Sequence, residues 1–156
     1  MRNWVKTTLM SGVVAFVAIQ IIRPARTNPP EEPGRSIHAV VPVDPAVANL
    51  LNRSCSDCHS NSTSWPWYSR VAPVSWLVVS DVNRGRHAMN LSDWADYSTS
   101  QRSELLHEVC MEAAAGEMPQ SSYRLIHRDA RLSEADRQNL CSWAYSTGAA
   151  PTQAGE

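Results

Sequence analysis

The sequence predicts an all-α domain, on three observations. Apolar residues recur at helical spacing in four separate stretches, no run alternates at period two, and a C-x-x-C-H motif follows the first of those stretches. At 156 residues, 43% hydrophobic and 19% charged, the chain has room for one domain and too little for two full ones. Fourteen basic residues nearly cancel 15 acidic ones, for a net charge of −1, which excludes the broad basic excess of a nucleic-acid binder. Six glycines with no Gly-rich phosphate loop exclude the common nucleotide-binding fingerprints. The 4 cysteines are too few for a disulfide-dense scaffold.

The N-terminal stretch Thr7–Ile22 contains no charged residue and follows Arg2 and Lys6. A 16-residue helix spans roughly 24 Å, short of a hydrocarbon core near 30 Å. Trp4 and Arg23 extend it, because Trp favours the membrane interface and Arg snorkels. No small-x-small cleavage site follows the run, so residues 1–23 read as an uncleaved anchor, with a secretory signal as the alternative. Residues 24–43 contain Pro24, Pro29, Pro30, Pro33 and Pro42 and read as an extended, helix-free tether.

The expected domain occupies residues 44–147. Asp44-Pro45 opens its first helix as N-cap and first helical residue, and Val47, Leu50, Leu51 and Cys55 carry the helical spacing straight into the cysteine pair. Pro73 opens a second helix with Val74, Leu77, Val78 and Val82 on one side, and Gly85 is its expected stop. Ser98 and Gln101 match a capping box ahead of Leu105, Leu106, Val109, Cys110 and Ala113, with Gly116 as C-terminal stop. Ser133 caps the last helix, which buries Leu140, Cys141, Trp143 and Ala144 and ends at Gly148. Residues 148–156 form an expected frayed tail.

Cys55-Ser56-Asp57-Cys58-His59 is the attachment motif of a c-type haem. Thiols at i and i+3 on a helical turn meet the two vinyl groups of one haem, and His59 then becomes the proximal iron ligand. Covalent attachment suits a domain too small to enclose the cofactor by packing alone. A structural zinc site needs a second ligand pair at metal spacing, whereas Cys110 and Cys141 stand apart. A thioredoxin-type pair needs a βαβ context, which is lacking. The predicted architecture is therefore a small class I cytochrome c-like helical domain around one covalent haem c.

Met118, His87, Met89, Met111, His107 and His127 are the candidates for the second axial position. Met118 leads, since Gly116-Glu117-Met118-Pro119 places it on a stiffened loop after a helix end; His87, with Met89 behind it, is the main rival. Trp65-Pro66-Trp67-Tyr68 follows the motif closely, and a ring such as Trp65 is expected to cover a haem edge. Arg70, Arg84 and above all Arg86 are candidate partners for the haem propionates. Cys110 and Cys141 lie on the buried stripes of two helices, and spare thiols in an oxidising compartment often pair, so a Cys110–Cys141 disulfide is expected.

The sequence resembles the haem-binding domain family of small exported bacterial monohaem c-type cytochromes over about residues 44–146. The resemblance rests on Cys55-Ser56-Asp57-Cys58-His59-Ser60-Asn61, Trp65-Pro66-Trp67-Tyr68 and Val71-Ala72-Pro73-Val74-Ser75-Trp76. It continues through Gly85-Arg86, Asn90-Leu91-Ser92-Asp93-Trp94, Gly116-Glu117-Met118-Pro119 and Tyr123-Arg124-Leu125-Ile126-His127. It implies one haem held at Cys55, Cys58 and His59, with Met118 as the natural distal ligand.

The expected role is one-electron transfer outside the cytoplasmic membrane, with the chain anchored N-in and the domain in the periplasm, and no enzymatic activity. A haem-based sensor or gas binder with a vacant or displaceable sixth position is the alternative, and a small peroxidase needs an acid–base histidine beside an open iron. Without Arg2, Lys6, Arg23 and Arg26, 10 basic residues face 15 acidic ones. The expected redox partner is thus a protein with a basic docking surface, besides the membrane itself and no nucleic acid.

Overall fold

A computed structural model describes residues 2–148; the expected tail beyond Gly148 lies outside the described residues. The described residues are helical, without strands. Their α-helices are α1 (Arg2–Ile19), α2 (Ile37–Val40), α3 (Pro45–Ser54), α4 (Ser56–His59), α5 (Val74–Ala88), α6 (Thr99–Ala115), α7 (Ser121–Ile126) and α8 (Glu134–Gly148). Short 3₁₀ turns lie at Trp67–Arg70, Leu91–Asp96 and Arg128–Ala130.

Local chemistry sets the helix ends. Asp44 accepts from the Ala46 and Val47 amides at 2.9 and 3.0 Å, and Pro45 follows as the first helical residue. Ser98 and Gln101 form both halves of a capping box at the start of α6. Gly116 closes α6 in the left-handed region at φ 75°, where a Cβ is disfavoured. Ser133 and Asp136 cap α8 reciprocally, through Asp136 N to Ser133 Oγ at 3.1 Å and Ser133 N to Asp136 Oδ2 at 2.9 Å.

The core lies where α6 and α8 pack together beneath α3. Leu51, Leu106, Leu140 and Val47 are fully buried there, with Trp94 beside them. Each such aliphatic side chain contributes about 1.5–3 kcal/mol relative to exposure. Cys110 and Cys141 are disulfide-bonded across the α6–α8 contact. In the loop-entropy account a bridge of this sequence separation destabilises the unfolded chain by about 3–4 kcal/mol. Arg53 ties α3 to the start of α8 through Asp136 at 2.9 Å.

Four expectations are corrected. The Pro-rich segment is not free of helix: between Pro33 and Pro42 there is room for the single turn α2, and Ile37 on it is 1% exposed in the core. The core thus begins upstream of the boundary expected at residue 44. Gly85 does not stop α5, which runs on to Ala88. The first helix does not run unbroken into the motif either: Cys55, at φ −123°, separates α3 from α4.

Residues 20–35 are not a free spacer but are fastened along the domain. Gln20 donates to the Ala72 carbonyl at 3.1 Å and accepts from the Ala72 amide at 2.9 Å. Trp76 Nε1 donates to the Ile22 carbonyl, Arg26 to that of Ser69, and Asn28 Nδ2 to that of Thr63. Further along, Ser92 donates to Glu31 at 2.6 Å and Arg35 pairs with Asp96. Among the described residues no helix is long and apolar enough to cross a membrane. α1 carries Leu9, Met10, Val13, Val14, Phe16 and Val17 as exposed side chains.

Candidate functional site

The C-x-x-C-H turn is held from behind by α5. The His59 amide donates to the Cys55 carbonyl at 2.9 Å and the Cys58 amide to the same oxygen at 3.2 Å, so the motif forms one compact helical turn. It rests on Gly85, where a Cβ would come within 2.5 Å of the Cys58 carbonyl oxygen. Only a glycine in α5 allows the two backbones this approach. That explains a glycine inside a helix, where it costs about 1 kcal/mol relative to alanine.

His59 Nδ1 lies 3.0 Å from the Met89 carbonyl oxygen. A carbonyl only accepts, so Nδ1 carries the proton and Nε2 keeps its lone pair for a metal. The residue after Met89 is fixed in turn. Asn90 Nδ2 donates to Asn61 Oδ1 at 2.9 Å and to Asp93 Oδ2 at 2.7 Å, and its amide donates to the Tyr97 hydroxyl at 2.9 Å. Burial lowers the His59 pKa, which favours the neutral ring a metal needs. Burial also pushes the Cys55 thiol up to about 12 and the Cys58 thiol up to about 11, the latter helped by the neighbouring Asp57 charge.

These three residues open onto a cavity of about 820 Å³. Val74, Leu77 and Val78 of α5, Leu105 and Val109 of α6, and Leu140 of α8 give it apolar walls. Met118 and Pro119 also line it. Their loop is pinned at its start, where the Glu117 and Met118 amides both donate to the Glu112 carbonyl, at 3.1 and 3.2 Å. Ser54 lines the cavity as well, and its buried hydroxyl has no partner.

The other candidates separate clearly. Met89 and His127 line the cavity; His87, Met111 and His107 do not. Met89 is adjacent to His59 through its own carbonyl. His127 Nε2 is 2.5 Å from the Tyr68 hydroxyl. His87 and Met111 are exposed, and His107 leans against Tyr145 with ring centroids 5.9 Å apart.

Trp65 and Arg86 do not line the cavity. The Trp65 indole donates to Asn28 Oδ1 at 3.0 Å. Arg86 is used up within the fold: it donates to the Ser60 and Thr27 carbonyls, each at 2.7 Å, to Thr63 Oγ1 at 2.8 Å and to Asn28 Oδ1 at 3.0 Å. It fastens the N-terminal strap to the loop after the motif. Arg84 lines the cavity and pairs with Asp81 at 2.6 Å, and Arg70 is exposed.

Sequence reasoning missed a polar group on the cavity wall. Tyr123 donates to Asp57 Oδ2 at 2.7 Å and stacks on His127 with centroids 4.1 Å apart. Desolvation raises the Tyr123 and Tyr68 pKa values, and the nearby Asp57 adds to both shifts. The spacing of Tyr123 and His127 at i and i+4 was the available signal.

The donor set and the space fit a haem: two thiols on one turn, an imidazole with its free nitrogen set by a hydrogen bond, and a large apolar cavity beside them. The family model described as "Haem-binding domain" matches residues 14–146. No curated protein and no solved structure gives a significant match. With the model covering most of its length, the chain belongs to the haem-binding domain family, and its cofactor is haem.

Proposed function

We propose that the chain is a monohaem c-type cytochrome domain that carries single electrons. The observation that carries this reading is the His59 ring, fixed by the Met89 carbonyl, opening onto one cavity with Cys55, Cys58 and Met118. In it, Cys55 and Cys58 hold the cofactor by thioether bonds, His59 Nε2 is the proximal ligand and the Met118 sulfur the distal one. The bound haem supplies a one-electron ferric/ferrous couple. A thioether ligand favours the ferrous state, and the apolar walls from α5 and α6 exclude water and raise the potential in the same direction. His59 needs no proton exchange in this role, since its Nδ1 proton is already committed. The reading assigns no catalytic residue.

Two further parts complete the reading. The exposed apolar side chains around α1, continued by Ile21 and Ile22, support a membrane anchor that keeps the domain on the periplasmic face of an inner membrane. The acidic balance beyond residue 26 supports a redox partner with a basic docking surface, whose association weakens with salt.

The test is the absorption spectrum of the oxidised and reduced protein, with and without carbon monoxide. Electron transfer through a closed His/Met site predicts no rapid stoichiometric carbon monoxide binding at neutral pH. Rapid stoichiometric binding contradicts it and favours a ligand sensor.

A further inference from the structure

We infer that Tyr68, His127, Tyr123 and Asp57 form a clasp that holds α7 against the haem-attachment turn and so keeps the Met118 sulfur at the iron. The inference rests on the His/Met reading above and deepens it, by naming residues that position the distal ligand without touching the iron.

Met118 and α7 are neighbours in the chain, so whatever fixes α7 limits the travel of the sulfur. The start of the loop is fixed by the Glu112 carbonyl and by Gly116, whose own carbonyl accepts from Arg124 at 3.1 Å. The far end has two attachments across the cavity wall. Tyr123 on α7 reaches Asp57, inside the C-x-x-C-H motif, at 2.7 Å. His127, just after α7, shares a 2.5 Å hydrogen bond with Tyr68 of the Trp67–Arg70 turn. Stacking of Tyr123 on His127 couples the two attachments. Asp57 is held for this role, since Oδ1 accepts from the Ser64 amide at 3.0 Å and Oδ2 is left to Tyr123. His127 Nε2 is engaged by Tyr68, which removes that nitrogen from competition for the iron. Apart from this group, α7 is held by Arg124 on the Gly116 carbonyl and by Arg131 on the Arg124 carbonyl, while Leu125 and Ile126 are 74% and 61% exposed. The attachment is therefore polar and made by few bonds, the arrangement in which one hydroxyl matters.

The experiment is imidazole binding to the ferric holoprotein, followed by absorption, with the near-infrared sulfur-to-iron band as second readout. Tyr123→Phe and Tyr68→Phe each remove one hydroxyl and keep the ring. Tyr145→Phe, on the exposed side of α8, is the control. Tyr123→Phe and Tyr68→Phe are each expected to raise imidazole affinity roughly three- to tenfold, the factor corresponding to one net hydrogen bond, and to weaken the band. Tyr145→Phe is expected to behave as the parent. In a Met118→Ala background, removing either hydroxyl is expected to change nothing further, because no sulfur remains to be held. Parent-like affinity in both Phe variants, with tighter binding in Met118→Ala, overturns the clasp and leaves Met118 as the ligand. Met118→Ala binding no tighter than the parent overturns Met118 as the ligand, and the clasp with it. Gains of equal size with and without Met118 also overturn the clasp, since they would reflect entry to the cavity and not ligand retention.

Discussion

Gly85 of α5 lies so close to Cys58 that a Cβ on it would stand 2.5 Å from the Cys58 carbonyl oxygen and 3.1 Å from the Cys58 Cβ. Helix propensity alone makes Gly85→Ala stabilising by about 1 kcal/mol. The clash opposes this, and both atoms it involves are backbone or backbone-adjacent, so nothing flexible yields. The expected net effect is a destabilisation of roughly 1–3 kcal/mol, the usual range for overpacking, with a lower yield of haem-loaded protein. Urea unfolding of the loaded variant and the ratio of Soret to protein absorbance check this; a variant more stable than the parent contradicts the close packing.

The strap makes a prediction that a free linker does not. Arg86 bonds residues 27, 28, 60 and 63 at once. Arg86→Ala is expected to loosen the strap around residues 27 and 28 and to cost about 1–3 kcal/mol in lost charge-assisted hydrogen bonds. Limited trypsinolysis of the full chain reads the release: cleavage after Arg26 is slow in the parent and at least several-fold faster in the variant. Equal rates would mean that the segment is already loose.

Cys55 and Cys58 are half-buried thiols with pKa values raised to about 12 and about 11, while Cys110 and Cys141 are bridged. The thiolate is the nucleophile, and at neutral pH a raised pKa leaves very little of it. In haem-free chain without reductant, iodoacetamide is therefore expected to label two cysteines at most, slowly at pH 7 and roughly tenfold faster per pH unit up to about 11. Mass spectrometry counts the adducts; four labelled sites would remove the disulfide.

Asp136 is held below the usual carboxylate range by its hydrogen bonds with the Ser133 backbone and side chain and by Arg53. A depressed folded pKa contributes stability above the unfolded value, near 4, and that stability is lost as the pH falls through the folded pKa. Asp136→Ala is expected to cost about 1–2 kcal/mol at pH 7, the range for losing a helix cap, and progressively less below pH 4. Unfolding midpoints at pH 7 and pH 3 test the sign; a cost that grows toward pH 3 contradicts it.

What was legible in the sequence was local. The Asp44-Pro45 and Ser98–Gln101 helix starts and the Gly116 stop depend on residues within one turn of each other, and all three occur as the spacing implies. Gly85 was misread because the same local rule that makes glycine a helix stop says nothing about a backbone packed against it from residue 58. The partners of Arg86 and Trp65 were hidden for a related reason. Those at residues 27 and 28 belong to a Pro-rich stretch with no periodicity to mark it as part of the domain. The His59–Met89 bond spans 30 residues and uses a carbonyl, which no side-chain pattern encodes. Tyr123 and Asp57 are 66 residues apart, and their contact exists only once α7 folds back over the motif.

The central claim is that Cys55 and Cys58 bind haem covalently, and the intact mass of the denatured chain tests it most directly. Protein from a host that matures c-type haem is denatured in acid, stripped of loose pigment and weighed. The account predicts a single species heavier than the polypeptide by one haem, and the bare polypeptide mass for the double variant Cys55→Ser/Cys58→Ser. A parent chain that gives up all its pigment on denaturation and weighs no more than the polypeptide contradicts it.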